Sequence, residues 1–276
     1  MADPFAVLAE PLVVAADGSV VVVAKPPRMH SAPGRSADDL CSWVFARFPD
    51  AAGAGKGVEG ERPAARNPAE GGLLHRLDYE TSGLVLFARS PEAFDFLIAE
   101  QEAGRFRKEY ILRSRPGERL QPTGSRPTRS APESVDPEAW AAAIASSDAA
   151  AASGLLFPPA RLASDSSPYV ESSFRAYGPG AARVACVGKE AARGKEGRLY
   201  RTEIASLQVG AGPWELAVAI AQGFRHQIRA QMAWIGLPIV GDPLYGGDAA
   251  PRLYLHAPRL RFRHPVSGAE TMIELA

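Results

Sequence analysis

Residues 11–27, PLVVAADGSVVVVAKPP, decide the class of fold. Two runs of β-branched and small apolar residues flank Asp17-Gly18, a pair suited to a tight hairpin turn, and Pro26-Pro27 stop the second run. The chain therefore opens on antiparallel sheet. Downstream, Ser36 is placed to cap a helix with Asp38 and Asp39 in its first turn and Leu40, Trp43 and Val44 on its apolar side, and residues 53–72 read as loop. Residues 83–88 read as a short buried strand. Pro91 then starts a helix that places Phe94, Leu97 and Ile98 on one face and ends at Gly104.

Further along, strands are expected at 183–187, 200–209 and 214–221. A helix over 225–235 buries Ile228, Met232 and Ile235 at helical spacing, and closing strands follow at 252–255, 260–262 and 271–275. Between about 114 and 168 the sequence turns to Pro, Ser, Ala and Arg with little periodicity, which marks an insertion in a single domain spanning residues 1–276. Periodicity alone specifies mixed α and β structure.

Composition narrows the function classes. A chain of 276 residues with 46% hydrophobic and 22% charged residues can bury a sizeable core, which excludes disorder throughout. No apolar run approaches the roughly 20 residues of a membrane helix, and the first ten residues lack the start of a secretory signal, so a cytoplasmic location is expected. Cys41 and Cys186 have no Cys or His neighbours at ligand spacing; two buried thiols, no metal site and no disulfide framework are expected.

Thirty-one Lys and Arg balance 31 Asp and Glu, so net charge says nothing of a partner. Local charge says more. Residues 105–129 hold eight Lys or Arg against two acids, and Arg252, Arg259, Arg261 and Arg263 lie in an acid-free stretch with His256 and His264. Basic faces of this kind suit the phosphates of RNA, although a solvated face has the same composition.

Two look-alikes fail on detail. Gly53-Ala54-Gly55-Lys56-Gly57 resembles the end of a phosphate-binding loop, yet Lys56 is followed by Gly and leaves no hydroxyl for magnesium. His75-Arg76-Leu77-Asp78 resembles a kinase catalytic loop, yet its Asp falls one place late and no Asn follows at the required offset. What remains is a carboxylate, Asp78, on a polar, turn-prone segment directly before the apolar run Leu84-Val85-Leu86-Phe87. A loop carboxylate beside a rigid strand suits catalysis, and it equally suits a turn cap on the N–H groups of Thr81 and Ser82.

The stretch HRLDYETSGLVLFAR, residues 75–89, closely resembles the signature of RNA pseudouridine synthases of the large-subunit, RluA type. Lys108-Glu109-Tyr110 resembles that family's Lys-x-Tyr motif. Residues 223–229, GFRHQIR, resemble its Gly-Arg-x-His-Gln-Ile-Arg helix, and residues 236–246, GLPIVGDPLYG, the segment after it. Fragments at 24–27, 255–257 and 264–268 extend the likeness over nearly the whole chain apart from the insertion.

The resemblance implies an α+β fold with a long mixed, mostly antiparallel sheet flanked by helices and loops. It also implies a cofactor-free isomerisation of uridine to pseudouridine in ribosomal or transfer RNA, with no membrane and no obligate protein partner. Asp78 matches the family's essential carboxylate, which could attack the sugar or remove a proton from it. Arg229 is its expected ionic partner, and Tyr110 the ring that stacks on uracil and assists proton transfer. Arg76 fits the place left by a flipped nucleotide or its phosphate; His75, Arg225, His226 and Ile228 complete the expected substrate contacts. Phe224 departs from the pattern, standing where the family often has Arg, and Arg225 stands where Thr is common. Two rival classes are a catalytically silent RNA-binding relative and a nucleoside or glycoside hydrolase, for which Glu80 is the nearest second carboxylate.

Overall fold

The hairpin forms as its sequence dictates. In a computed structural model describing residues 5–6, 8–34, 38–55, 67–117, 169–187, 198–208 and 212–275, β1 (Leu12–Ala16) pairs antiparallel with β2 (Val20–Lys25). Asp17 closes the turn, its carboxylate accepting the N–H groups of Ser19 and Val20 at 2.7 and 2.9 Å. Every residue of β2 is buried, because β3 (Ser82–Ala88) lies antiparallel along its other edge.

The described residues divide into two compact units, residues 1–109 with 256–276, and residues 110–255. In the first, β3 also pairs in parallel with β9 (Leu255–Arg263) through Ser82 and Gly83, and β10 (Glu270–Glu274) adds antiparallel to β9. Gly83 permits that parallel contact: its φ is +125°, and a Cβ there would fall 2.3 Å from the Ala257 carbonyl oxygen. Helix α1 (Leu40–Phe45) and helix α2 (Pro49–Ala54) precede β3, and α3 (Pro91–Glu102) follows it. Ser90 caps α3 by accepting the Ala93 N–H, with Pro91 at the first helical position. Phe94 and Leu97 of α3 join Val22, Leu86, Phe106 and Phe262 in the core of this unit.

The second unit carries β5 (Tyr169–Tyr177), β6 (Arg183–Val187), β7 (Tyr200–Gln208) and β8 (Trp214–Ile220), antiparallel in the order β6-β5-β7-β8. Helix α4 (Gln227–Trp234) is fastened by polar side chains as well as apolar ones. Gln231 donates to Ser172 Oγ and to the Tyr200 carbonyl, both at 3.0 Å, and accepts from Thr202 Oγ1 at 2.7 Å. Strand β4 (Arg107–Ser114) passes from the first unit into the second with strictly alternating burial. The result is the expected α+β class, a mixed and mostly antiparallel sheet with few helices.

Several local expectations are corrected. Asp39, not Ser36, caps α1 by accepting the Ser42 N–H at 2.9 Å; Ser36 lies outside the described residues. Helix α2 precedes and just enters what reads as loop, its last two residues being Gly53 and Ala54. Residues 252–255 and 260–262 do not form two strands, because 255–263 is one continuous strand. Strand β5 occupies polar sequence just after the insertion, most of which also lies outside the described residues. Cys41 is buried, whereas Cys186 is only half-buried.

Candidate active site

The approach to Asp78 begins on the sheet. Residues 72–74 run beside β3, with the Ala88 N–H donating to the Gly72 carbonyl at 2.8 Å and the Leu74 N–H to the Leu86 carbonyl at 3.1 Å. At His75 the chain leaves the strand. The buried imidazole accepts the Leu86 N–H through Nε2 at 3.3 Å and packs on Phe106. The Arg76 guanidinium is exposed and bonded through Nη2 to the carboxylate of buried Glu70.

Asp78 is half-buried, and both residues beside it are held through their main-chain groups. Ser31 Oγ donates to the Leu77 carbonyl at 2.8 Å and accepts the Leu77 N–H at 3.0 Å. On the other side, the Tyr79 carbonyl accepts the Met29 N–H at 3.3 Å and Lys25 Nζ at 3.4 Å. Lys25, fully buried at the end of β2, also donates to the carbonyls of Pro26 and Met29, each at 2.8 Å. Three carbonyl oxygens thus compensate the desolvation of one ammonium. The Thr81 N–H closes the turn onto the Asp78 carbonyl at 3.1 Å. The Asp78 carboxylate thus stands between two fixed peptide groups, which set its position.

The remaining candidates lie in the second unit. Tyr110 is buried on β4. Arg225, His226, Ile228 and Arg229 cluster at the start of α4, where His226 takes a left-handed conformation with φ of 56°. Arg225 is exposed and bonds the carbonyls of Ala181 and Arg183 through Nη2. Ile228 is buried.

Arg229 grips Asp242 with both arms, Nε to Oδ2 at 2.7 Å and Nη2 to Oδ1 at 2.8 Å, with 3% and 0% of the two side chains exposed. Asp242 Oδ1 also accepts the N–H groups of Leu244 and Tyr245. Tyr245 completes the network, its hydroxyl accepting the Val184 N–H at 2.9 Å and lying 3.1 Å from His226 Nδ1; burial pushes its phenol up from the ordinary value. Gly241 lets the Asp242 loop pass close beneath Arg252, for a Cβ there would stand 1.7 Å from the Arg252 carbonyl oxygen.

His75, Arg76 and Asp78 therefore belong to the first unit, and Tyr110, Arg225, His226, Ile228 and Arg229 to the second. The basic stretches are less bare than their sequence reads. Arg105 pairs with Glu100, Arg113 with Glu215 and Arg115 with Asp248, while Arg259 and Arg261 share Glu109. Burial opposes ionisation of Glu109, but its bonds to Arg259 and Arg261 outweigh it and hold the carboxyl below its usual range. Ser31, Lys25, Asp242 and Tyr245 receive no site role from the sequence, although Lys25 stands in the 24–27 fragment. Asp242 and Tyr245 stand inside the quoted 236–246 segment, where the turn sequence Gly241-Asp242-Pro243 is the only local signal. Among the described residues no group of His, Cys, Asp and Glu is gathered for a metal ion, and no helix is long and apolar enough to cross a membrane.

The family described as RNA pseudouridylate synthase matches residues 19–234, which take in most of the chain and parts of both units. The chain belongs to this family. It is 32% identical over 247 residues to an uncharacterized RNA pseudouridine synthase of Chloroflexus aurantiacus, covering 87% of this chain and 57% of the relative. It is 23% identical over 274 residues to ribosomal large subunit pseudouridine synthase D of Pseudomonas aeruginosa, covering 93% of this chain and 65% of the relative. The chain spans under two thirds of the length of these curated family members. In fold it is similar to human RNA pseudouridylate synthase domain containing 1, with a TM-score of 0.57 at 18% identity over 96% of this chain and 83% of that one.

Proposed function

We propose that this chain isomerises uridine to pseudouridine within structured RNA, working in the cytoplasm, with Asp78 as the reacting carboxylate. The observation that carries the reading is the fixed backbone around Asp78, clamped at Leu77 by Ser31 and at Tyr79 by Met29 and Lys25, in a chain of this family. The reaction breaks the bond from the sugar to N1 of uracil, joins the sugar to C5 instead, and moves a proton from C5 to N1. Bonds and protons balance within one nucleotide, so no redox or group-transfer cofactor is called for. Glycosidic cleavage leaves the anomeric carbon electron-poor, and a carboxylate is suited to meet it.

The family resemblance supports Tyr110 as the aromatic partner of the base and Arg229 as a member of the catalytic set, with Arg76, His75, Arg225, His226 and Ile228 as RNA contacts. The bidentate Asp242 carboxylate orients the Arg229 guanidinium. The names of the relatives direct the search for substrate first to large-subunit ribosomal RNA. The test is to map pseudouridine in ribosomal and transfer RNA from cells with and without this protein. A position lost with the protein and restored by adding it back supports the reading. Release of free uracil from RNA would instead indicate hydrolysis, and binding without any isomer a silent relative.

A further inference from the structure

We propose that Phe224 is a stacking platform for an unpaired base of the RNA, with Arg198 and Arg225 placed for the adjoining phosphates. The proposal rests on the RNA-modifying function above and gives it a base-binding position on the second unit.

Phe224 leaves 37% of its surface exposed immediately before α4. A single exposed apolar side chain is ordinary on a protein surface. This one is held. Its ring lies parallel to Phe174, at 6° and 4.9 Å between centroids, and Tyr200 tilts against it at 5.1 Å. Phe174 is itself buried and packs on Tyr200 at 5.7 Å, so the three rings form a pedestal rooted in β5 and β7. The Phe224 main chain is fixed too, its N–H donating to Gln227 Oε1 at 3.0 Å. With Phe174 parallel to it and Tyr200 tilted against it, the exposed part of Phe224 belongs to a ring already ordered before any ligand arrives. A flat, rigid, half-exposed aromatic is suited to a nucleobase, because every base offers a π-face.

Charge favours the same occupant. The Arg198 guanidinium stands 5.6 Å from the Tyr200 ring centre with Nε on Gln222, and Arg225 bonds the carbonyls of Ala181 and Arg183. These described partners are uncharged, unlike the carboxylates that hold Arg113 and Arg201. An aromatic face beside guanidinium groups is the combination that binds single-stranded nucleic acid.

The test uses the full chain with two fluorescein-labelled probes of equal charge: an oligouridylate of about 12 nucleotides, within the ~4–16 that such grooves span, and an abasic ribose-phosphate chain of the same length. Phe224→Leu should weaken oligouridylate binding about tenfold, the lower part of what one stacked base contributes, and leave abasic binding and the salt dependence unchanged. Phe224→Trp should keep affinity, and its added indole emission should be quenched by oligouridylate but not by the abasic chain. Equal affinity in Phe224→Leu, an equal loss for both probes, or an unquenched Phe224→Trp would overturn the platform. If Phe224→Leu does not fold, the quenching experiment alone decides. Pseudouridine formation by wild type is assayed in parallel; its absence sinks the proposed activity, while the binding data judge the platform separately.

Discussion

Ser31 holds both main-chain polar groups of Leu77, 46 residues away, through one hydroxyl that donates at 2.8 Å and accepts at 3.0 Å. Leu77 is the residue before Asp78, so the position of the candidate carboxylate depends on a side chain from the loop after β2. Ser31→Ala leaves a buried N–H and carbonyl without this partner, a cost of about 1–3 kcal/mol. The expected kinetic effect is larger, because a displacement of about 1 Å at a reacting group can lower turnover about a hundredfold. Steady-state kinetics should show a fall in kcat with little change in KM; unchanged kcat would show that the clamp does not set Asp78.

The Arg229–Asp242 pair is buried on both sides. Removing one partner takes a bidentate ionic contact from the other buried charge, so Arg229→Met or Asp242→Leu alone should destabilise the fold by about 3–5 kcal/mol. The double variant should lose clearly less than the sum. Urea unfolding of the four proteins measures this coupling, and strictly additive losses would contradict it.

Lys108 is buried on β4, and burial pushes its ammonium down from 10.5 to about 8. Between those values the unfolded chain keeps a proton that the folded chain has released, so stability rises with pH across the window. Below about pH 8 the cost of burying the charge is fully present. Lys108→Met should therefore be more stable than wild type at neutral pH, and the gap in Tm should narrow as pH rises towards about 10.5. A gap that stays constant would show that Lys108 is not held in this way.

Which parts of the molecule the sequence announces follows from how far apart the interacting residues lie. The β1–β2 hairpin, β3, α3 and α4 are legible because their apolar periods and end signals are local. Strand β5 is not, since Glu171, Ser172, Ser173 and Arg175 break the apolar pattern; Ser172 and Ser173 are buried because the first meets Gln231 and the second the Val187 carbonyl. Pro258 makes β9 read as two strands, yet its carbonyl still accepts the Leu275 N–H at 2.9 Å. The residues around Asp78 and Arg229 divide in the same way. Asp78 stands out by motif, whereas Ser31 and Lys25 act on carbonyl oxygens, which carry no sequence signature. The clusters of Arg look unpaired in sequence, whereas Glu109 and Glu274, distant along the chain, come to Arg259 in the fold.

Single-turnover conversion of uridine to pseudouridine by wild type, Asp78→Asn and Asp78→Ala tests the central claim most directly. Both variants should keep the wild-type Tm and RNA affinity, because a half-buried loop carboxylate contributes little packing. Their rates should fall below about one hundredth of wild type, since losing the reacting group costs several kcal/mol of barrier at about 1.4 kcal/mol per tenfold. Pseudouridine formation by Asp78→Ala above about one hundredth of the wild-type rate would contradict the assignment of Asp78 as the reacting carboxylate.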